Sequence, residues 1–334
     1  MRLPIRRSAA VIAAVAASVI VLSGCASTPS TEPSAADLLG SVDTMFGAVD
    51  VPQPADGELT VVALGWSDAE MALALGVTPV AVVDWQGFGA ENKGVGPWAT
   101  PLFGDVTPEI IERGAETLNF EQIELLEPDL ILNTRSANDE QEYKRLSQIA
   151  PTVYAPEGTA AFATDWATQL TSVSAALGLS DQGGKLIDAT EQLITDAAAA
   201  NPDFKGKTIA SAAKFGDAYG AYLAGDGRFD ILIDLGFTAT PTIDALESSG
   251  FYAAVSAENV RAFDADVLVV IPIGFTLVET EADPLLASLT VVKDDRAVVI
   301  DPDSELAGAY SAASVLSIPV VLDQLVPELA AATR

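Results

Sequence analysis

Trp66, Trp85 and Trp98 are three of only four tryptophans in 334 residues, and Arg135 and Arg228 belong to a set of just 17 basic side chains facing 47 acids. Flat aromatic faces give an organic ligand apolar contact area, and a guanidinium fork donates hydrogen bonds to its oxygens. Tyr222, Phe275 and Tyr310 extend this set in the second half of the chain. Such residues support capture of a ligand rather than its turnover. With no histidine anywhere, Ser-His-Asp and Cys-His catalysis are impossible. Imidazole-based zinc sites fall with them, and haem would have only Tyr or Met as protein ligands.

Motifs that suggest chemistry fail on inspection. Gly206-Lys207-Thr208 lacks the earlier glycine of a P-loop, since position 201 is Asn. Gly94-x-Gly96-x-x-Ala99 contains Pro97 and follows no strand, so it reads as a loop. Asp301-x-Asp303-x-Glu305 lacks the glycine of a calcium loop, and Gly65-Trp66-Ser67 has no histidine to serve it as a nucleophile elbow.

Short apolar runs alternate with helical segments from Glu58 onward, which predicts an α/β architecture. Strands are expected at Leu59 to Leu64, Val80 to Val83 and Leu130 to Leu132. Helices are expected at Asp68 to Leu75, within Ile110 to Leu126, and at Glu140 to Ile149. Ser67 and Glu70 carry the spacing of a capping box. Phe162, Trp166, Leu170, Val173 and Leu177 recur at helical spacing and predict one unbroken helix, with a second from Gln182 to Ala200. The second half repeats the theme. It has strands at Thr208 to Ala213, Ala221 to Leu223, Val267 to Ile271 and Ala297 to Ile300. Its helices are expected at Phe229 to Leu235, Ala257 to Phe263 and from about Ala312. Two α/β lobes with mainly parallel sheets follow, and ligands bind outside the carboxyl ends of such strands, so the lobes face each other across one cleft.

The aromatic and arginine residues named above lie at those strand ends or in the Gly-rich loop 87 to 104, and each has a packing alternative. Trp66 adjoins an apolar strand, which favours the core. Trp85 sits between Asp84 and Gly87, which favours exposure, and Trp98 lies in a loop too irregular for core. Arg135 ends the strand Leu130 to Leu132 and is the favoured ligand contact. Arg228 has Asp226 and Asp230 as competing partners, and Tyr222, Phe275 and Tyr310 suit either role.

Arg2, Arg6 and Arg7 precede an apolar stretch from Ala9 to Leu22, the length of a signal-peptide core and too short to span a bilayer. Leu22-Ser23-Gly24-Cys25 resembles the lipobox of bacterial lipoproteins, which makes Cys25, the only cysteine, the expected lipid attachment point and 1–24 the signal peptide. Losing three arginines would leave 14 basic against 47 acidic residues, a balance of −33. That charge argues against nucleic acid and polyanionic ligands. Residues 25–57, rich in Ser, Thr and Pro at the start, read as a tether. Leu38, Leu39, Met45 and Phe46 within it either dock on the folded body or belong to an unstructured remnant.

Leu64 to Trp85, Glu127-Pro-Asp-Leu-Ile-Leu132, Leu146 to Pro151, Phe229 to Phe237, Ser256-Ala-Glu-Asn-Val260 with Ala265-Asp-Val-Leu268, and Leu285 to Ile300 occur in order. Together they resemble the FecB- and FhuD-like periplasmic binding proteins that serve ABC importers of iron-siderophores, haem and cobalamin. The resemblance covers about residues 58–332. It implies a class III binding-protein fold: an N-terminal lobe at 58–158, one long rigid interdomain helix at 159–181, and a C-terminal lobe at 182–334. It also implies a monomeric, non-enzymatic receptor on the extracytoplasmic face of the cell membrane that passes a ferric siderophore to an ABC permease. Iron would enter only as the siderophore complex, so no cofactor or protein metal site is expected. Hydroxamate chelates are favoured over tris-catecholates, which need several cations, and haem or cobalamin is the alternative cargo. Aromatic walls would suit the organic shell of the chelate. Glu70, and Asp230 in preference to Asp234, would be the acids offered to permease arginines, although both also suit ordinary first-turn helix positions.

Overall fold

The structure, a computed structural model, describes residues 38–111, 118–216, 218–248 and 250–334. Cys25, the leader and the tether up to residue 37 lie outside the described residues.

Residues 38–52 are not an open tether. They form an antiparallel hairpin, β1 (Leu38–Thr44) and β2 (Gly47–Pro52). Met45 and Phe46 make the turn, and Gly47 opens β2 at φ 111. Alternation in β2 buries Val49 and Val51 and exposes Asp50. Phe46 stacks on Tyr143 at 4.4 Å and meets Tyr154 edge-on at 5.1 Å, while Met45 N donates to Ala155 O at 2.8 Å. The apolar patch therefore docks, and the lobe begins some twenty residues before the expected position 58.

The N-terminal lobe contains β3 (Val61–Ala63), α1 (Asp68–Ala74), β4 (Ala81–Val82), β5 (Glu109–Ile110), α2 (Phe120–Leu125), β6 (Leu130–Leu132), α3 (Glu140–Leu146) and β7 (Thr152–Val153). Its sheet order is β5-β4-β3-β6-β7 and every pairing is parallel. The central strands are fully buried runs of Val, Ala, Leu and Ile, as a sheet covered on both faces requires. Helix α2 is shorter than expected, and residues 112–117 of that expectation lie outside the described residues. The Ser67–Glu70 capping box does not form. Ser67 adopts φ 62, and its hydroxyl donates instead to Ala312 O in the other lobe.

Helix α4 (Trp166–Ala176) starts four residues later than Phe162, where Asp165 accepts from Thr168 N at 2.9 Å. It buries Leu170, Val173 and Ala176 against the N-terminal lobe. Gly178 ends it at φ 67, at a point where a Cβ would stand 2.2 Å from Leu39 O. The helix that joins the lobes is the next one, α5 (Ser180–Ala200), 21 residues and about 31 Å long. Leu186 and Ile187 pack on the first core, Ile194 and Ala197 on the second. One long helix does connect the lobes, but it occupies 180–200 and not 159–181.

The C-terminal lobe contains β8 (Thr208–Phe215), β9 (Ala218–Tyr222), α6 (Gly227–Asp234), β10 (Thr238–Ala239), α7 (Pro241–Asp244), β11 (Tyr252–Val255), β12 (Val267–Ile273), α8 (Leu277–Glu281), α9 (Thr290–Lys293), β13 (Ala297–Val299), α10 (Glu305–Ala312) and α11 (Ile318–Ala332). Its sheet runs β11-β9-β8-β12-β13, with β10 also on β8. Strands β8, β12, β13 and β10 pair in parallel, while β9 and β11 pair antiparallel. Ala257–Phe263 is a 3-10 helix and not an α-helix. Among the described residues no helix is long and apolar enough to cross a membrane.

Gly178→Ala should lower the unfolding free energy by about 2 kcal/mol or more, because it strains a positive φ and drives a methyl group into a carbonyl. Urea unfolding monitored by far-UV circular dichroism checks this, and an unchanged midpoint would show that the hairpin is not seated on this junction.

Candidate functional site

Asp68 organises the end of the first sheet. It is fully buried, and its carboxylate accepts from Gly65 N at 3.1 Å, Thr134 N at 2.9 Å and Gln169 Nε2 at 2.7 Å, with a further short bond from Thr134 Oγ1. Burial pushes this carboxyl up, against those hydrogen bonds. A Cβ on Gly65 would lie 2.3 Å from Asp68 Oδ2, so only glycine allows the approach. The turn after β3 is thereby fixed to the turn after β6 and to α4, and Trp66 and Arg135 stand on those two turns.

Trp66 lies between two other rings. It stacks on Trp85 at 4.5 Å and 13°, and on Phe162 at 4.4 Å. Phe162 is held at φ 60 in the chain entering α4, where its N donates to Ser136 O and its carbonyl accepts from Arg135 Nε. Trp66 is thus neither core nor free wall but the middle of a three-ring stack. Arg135 is 2% exposed, packs its guanidinium 5.6 Å from the Trp66 ring, and donates Nη1 to Ala312 O at 2.9 Å. Together with Trp66, Trp85, Asp84 and Ser136 it lines a side chamber of about 270 Å3.

The main cleft, about 610 Å3, opens on the other side of Trp85. Trp85, Phe88 and Trp98 wall it from the N-terminal lobe, and Arg228, Pro272 and Ile273 from the C-terminal lobe. Asp84 shapes the first wall: its two oxygens accept from Gly87, Phe88 and Gly89 N at 2.8–2.9 Å, folding the Gly-rich loop into place. Asp303 and Glu305 sit at the rim. Phe88, Pro272 and Ile273 were not singled out in the sequence. A strand running into Ile271-Pro272-Ile273-Gly274 was the available signal.

The C-terminal lobe also inserts residues 312–316 into the N-terminal lobe. Val315 is part of the first lobe's core and Leu316 packs beside it. Ser67 Oγ reaches Ala312 O at 2.8 Å, and Gln86 Nε2 reaches Gly308 O at 3.2 Å. Glu70 belongs to this junction. It is 2% exposed, accepts from Trp98 Nε1 at 2.8 Å and from Ser314 Oγ through a short bond, and burial pushes its carboxyl up. The expectation that Glu70 faces a permease is corrected: its carboxylate is enclosed where the two lobes meet.

The second-lobe residues divide. Arg228 forms a bidentate pair with Asp226, at 2.7 Å from Nε and 2.6 Å from Nη2, and lies 3.7 Å over the Tyr222 ring, so its charge is compensated although it borders the cleft. Tyr222 is 4% exposed and packs in the second core, away from the cleft. Tyr310 is 1% exposed, with its hydroxyl between Ser211 Oγ at 2.9 Å and Arg228 O at 2.5 Å, which leaves it unable to reach a ligand metal. Phe275 covers Lys214, 4.7 Å from ring centre to Nζ, and that lysine is paired with Asp283 at 3.2 Å. Asp230 lines a separate cavity of about 640 Å3 beside α5, with Asp165, Glu191 and Asp234. Burial, with Asp226, Asp234 and Asp165 nearby, pushes its carboxyl up to about 6.

Two α/β lobes joined by a single long helix, with an aromatic-walled cleft between them, are the architecture of a two-lobed binding protein. The chain matches the periplasmic binding protein family over residues 61–304 and belongs to it. Members of that family are extracytoplasmic substrate-binding transport proteins, not enzymes. A periplasmic solute binding protein from Mycobacterium smegmatis is 31% identical, with a TM-score of 0.75 over 88% of this chain and 99% of its own. The Streptococcus pneumoniae iron-uptake protein PiaA, solved with ferrichrome, is 27% identical, with a TM-score of 0.74 over 88% and 98%. Staphylococcus aureus FhuD2 with ferrioxamine B shares the fold at 18% identity, with a TM-score of 0.64 over 82% and 100%. No curated protein matches the chain.

Asp230 carries a pH prediction. Its pKa is raised on folding, so its contribution to stability is present below about 4 and is lost as the pH rises through about 6. Asp230→Asn keeps an acceptor for Gly225 N, 3.0 Å away, and removes the buried charge. The variant should unfold at higher urea than the wild type at pH 7.5 and at the same urea at pH 4. A gap that widens towards pH 4 would overturn the assignment.

Proposed function

We propose that the protein is the substrate-binding lipoprotein of an ABC importer and that it captures a ferric siderophore between its lobes, a hydroxamate chelate in preference to a catecholate. One observation carries this reading: a cavity of about 610 Å3 with Trp85, Phe88 and Trp98 on one lobe and Arg228, Pro272 and Ile273 on the other. That volume lies within the range of whole-ligand sites, and the mix of flat apolar walls with few donors suits the organic shell of a chelate. Charge supports the hydroxamate class. Arg228 is already neutralised by Asp226, and Asp303 and Glu305 stand at the rim, so the cleft has no cation cluster for a trianionic complex. The iron stays inside the chelate, and the protein contributes shape and hydrogen bonds only.

Delivery to a permease follows from the same reading, with Asp230, in preference to Asp234, as the acidic group of the second lobe. The lipid anchor rests on Cys25 and its preceding Leu-Ser-Gly, since two or more acyl chains on one residue give stable membrane attachment.

Titrating tryptophan fluorescence with ferrichrome, ferrioxamine B, a ferric tris-catecholate, haem and cobalamin tests the cargo. Saturable quenching by a hydroxamate is expected, with Trp85→Ala weakening it by roughly tenfold, or about 1.4 kcal/mol. Quenching by haem or cobalamin alone would replace the cargo, and no response to any of the five would overturn the siderophore reading. Separately, mass spectrometry of the membrane-extracted protein should find it beginning at Cys25 with acyl chains attached. An unacylated Cys25 would refute the lipid anchor.

A further inference from the structure

Arg135 holds a position that the captured chelate alone does not explain. It is fully buried, yet among the described residues no carboxylate lies within ion-pair distance of it. Arg228, the other buried arginine, has Asp226 bonded to both ends of its fork. Arg135 has two main-chain carbonyls, Phe162 O on Nε and Ala312 O on Nη1, and its Nη2 has no protein acceptor at all. A buried guanidinium without an anion is unfavourable, and a buried donor without a partner adds to that cost.

The chamber that Arg135 lines is about 270 Å3, below the roughly 300–1,000 Å3 of sites that take a whole ligand. The indole of Trp85 forms a wall of both this chamber and the main cleft. Asp84, the acid that also borders the chamber, has its oxygens committed to three backbone N–H groups. Ser136, the other polar neighbour, donates its hydroxyl to Asn133 O. What the chamber offers is therefore one guanidinium edge beside the flat face of the Trp66–Trp85 stack.

We propose that this chamber is an arm subsite: the ferric chelate occupies the main cleft, and a pendant carboxylate on the same molecule passes Trp85 to accept a hydrogen bond from Arg135 Nη2. The inference rests on the siderophore reading and narrows it to hydroxamate chelates that carry a single anionic side arm. Its selectivity comes from one buried charge. A free carboxylate completes the ion pair, whereas a neutral arm leaves the guanidinium without an anion and an ammonium arm repels it.

One chelate with four arms tests it: ferrioxamine B with its terminal amine free, N-acetylated, N-succinylated, or carrying the uncharged succinamide of the same shape. Calorimetric titration of the full chain in detergent should rank the succinyl complex at least tenfold tighter than the acetyl and succinamide complexes, with the free amine weakest. Arg135→Gln, which keeps an amide donor and drops the charge, should bring the succinyl and succinamide complexes to within about twofold. The wild-type comparison of succinyl with succinamide needs no variant, so it stands if Arg135→Gln does not fold. Equal affinity for all four arms in the wild type, or a preference for succinyl that survives in Arg135→Gln, would overturn the arm subsite and leave the siderophore reading intact. Binding of none of the four would instead remove the hydroxamate reading on which the subsite rests.

Discussion

The fully buried Asp68 carboxylate is satisfied by four donors from three separate segments: Gly65, Thr134 and Gln169. Taking a carboxylate out of water costs several kcal/mol, and hydrogen bonds to a charged group return about 1.5–3 kcal/mol each, so the site is stable only when all the donors are present together. That requirement locks the end of β3, the end of β6 and the start of α4 into one arrangement. Gln169 Nε2 extends the lock by donating to Trp66 O at 2.7 Å as well. Trp66 follows the first segment, Arg135 follows the second, and Phe162 leads into the third. The ring stack, the guanidinium beside it and the chamber they border are consequences of where one buried acid finds its partners.

The junction between the lobes uses different forces. Main-chain carbonyls of Gly308 and Ala312 accept from Gln86, Ser67 and Arg135, and Val315 and Leu316 supply apolar contact. The bridging helix α5 has one end in each core. A continuous helix does not bend at a residue or two as a strand linker does, so α5 stiffens the connection between the lobes, and residues 312–316 supply a second one. Glu70 stands at that point, bonded both to Trp98 on the cleft wall and to Ser314 on the inserted segment. Any change in how Trp98 meets a ligand is felt by the same carboxylate that touches the opposite lobe.

Strand positions were legible because fully buried parallel strands are short apolar runs, and Leu130–Leu132 was read to the residue. The hairpin was not, since Leu39, Met45 and Phe46 gain their partners, α4 and the Tyr143–Tyr154 cluster, only from distant chain. The joining helix was misplaced for a related reason. Residues 162–178 are the more apolar stretch because α4 is buried in one lobe, whereas α5 sets a narrow apolar stripe for two cores in an otherwise polar, solvent-facing helix. Trp85 and Arg135 stood out by scarcity at strand ends and Trp98 by its place in the Gly-rich loop, and the structure puts Trp85 and Trp98 on the cleft wall and Arg135 on the side chamber. Glu70 and Asp68 were not legible: acids in a first helical turn are ordinarily exposed, and nothing local reveals that Ser314, Thr134 and Gln169 will enclose them. Tyr222 and Tyr310 look alike in sequence to cleft residues, and only tertiary packing turns their rings into the core.

Charge on this strongly acidic chain is distributed unevenly about the lobe junction. Asp165, Glu191, Asp230 and Asp234 gather at the cavity beside α5, while the side chamber holds a guanidinium that, among the described residues, has no carboxylate within ion-pair distance. Fields from the first group fall off over about 8 Å at physiological salt, so their influence is local. Within that distance they disfavour entry of a negatively charged molecule. Arg135, buried beside the Trp66 ring and the inserted segment, feels Asp226, Asp68 and Asp230 only across longer distances and has no carboxylate bonded to its fork. A ligand carrying both a bulky neutral body and a single negative charge is consequently oriented as well as held, with its charge directed to the N-terminal lobe and its body against the aromatic walls.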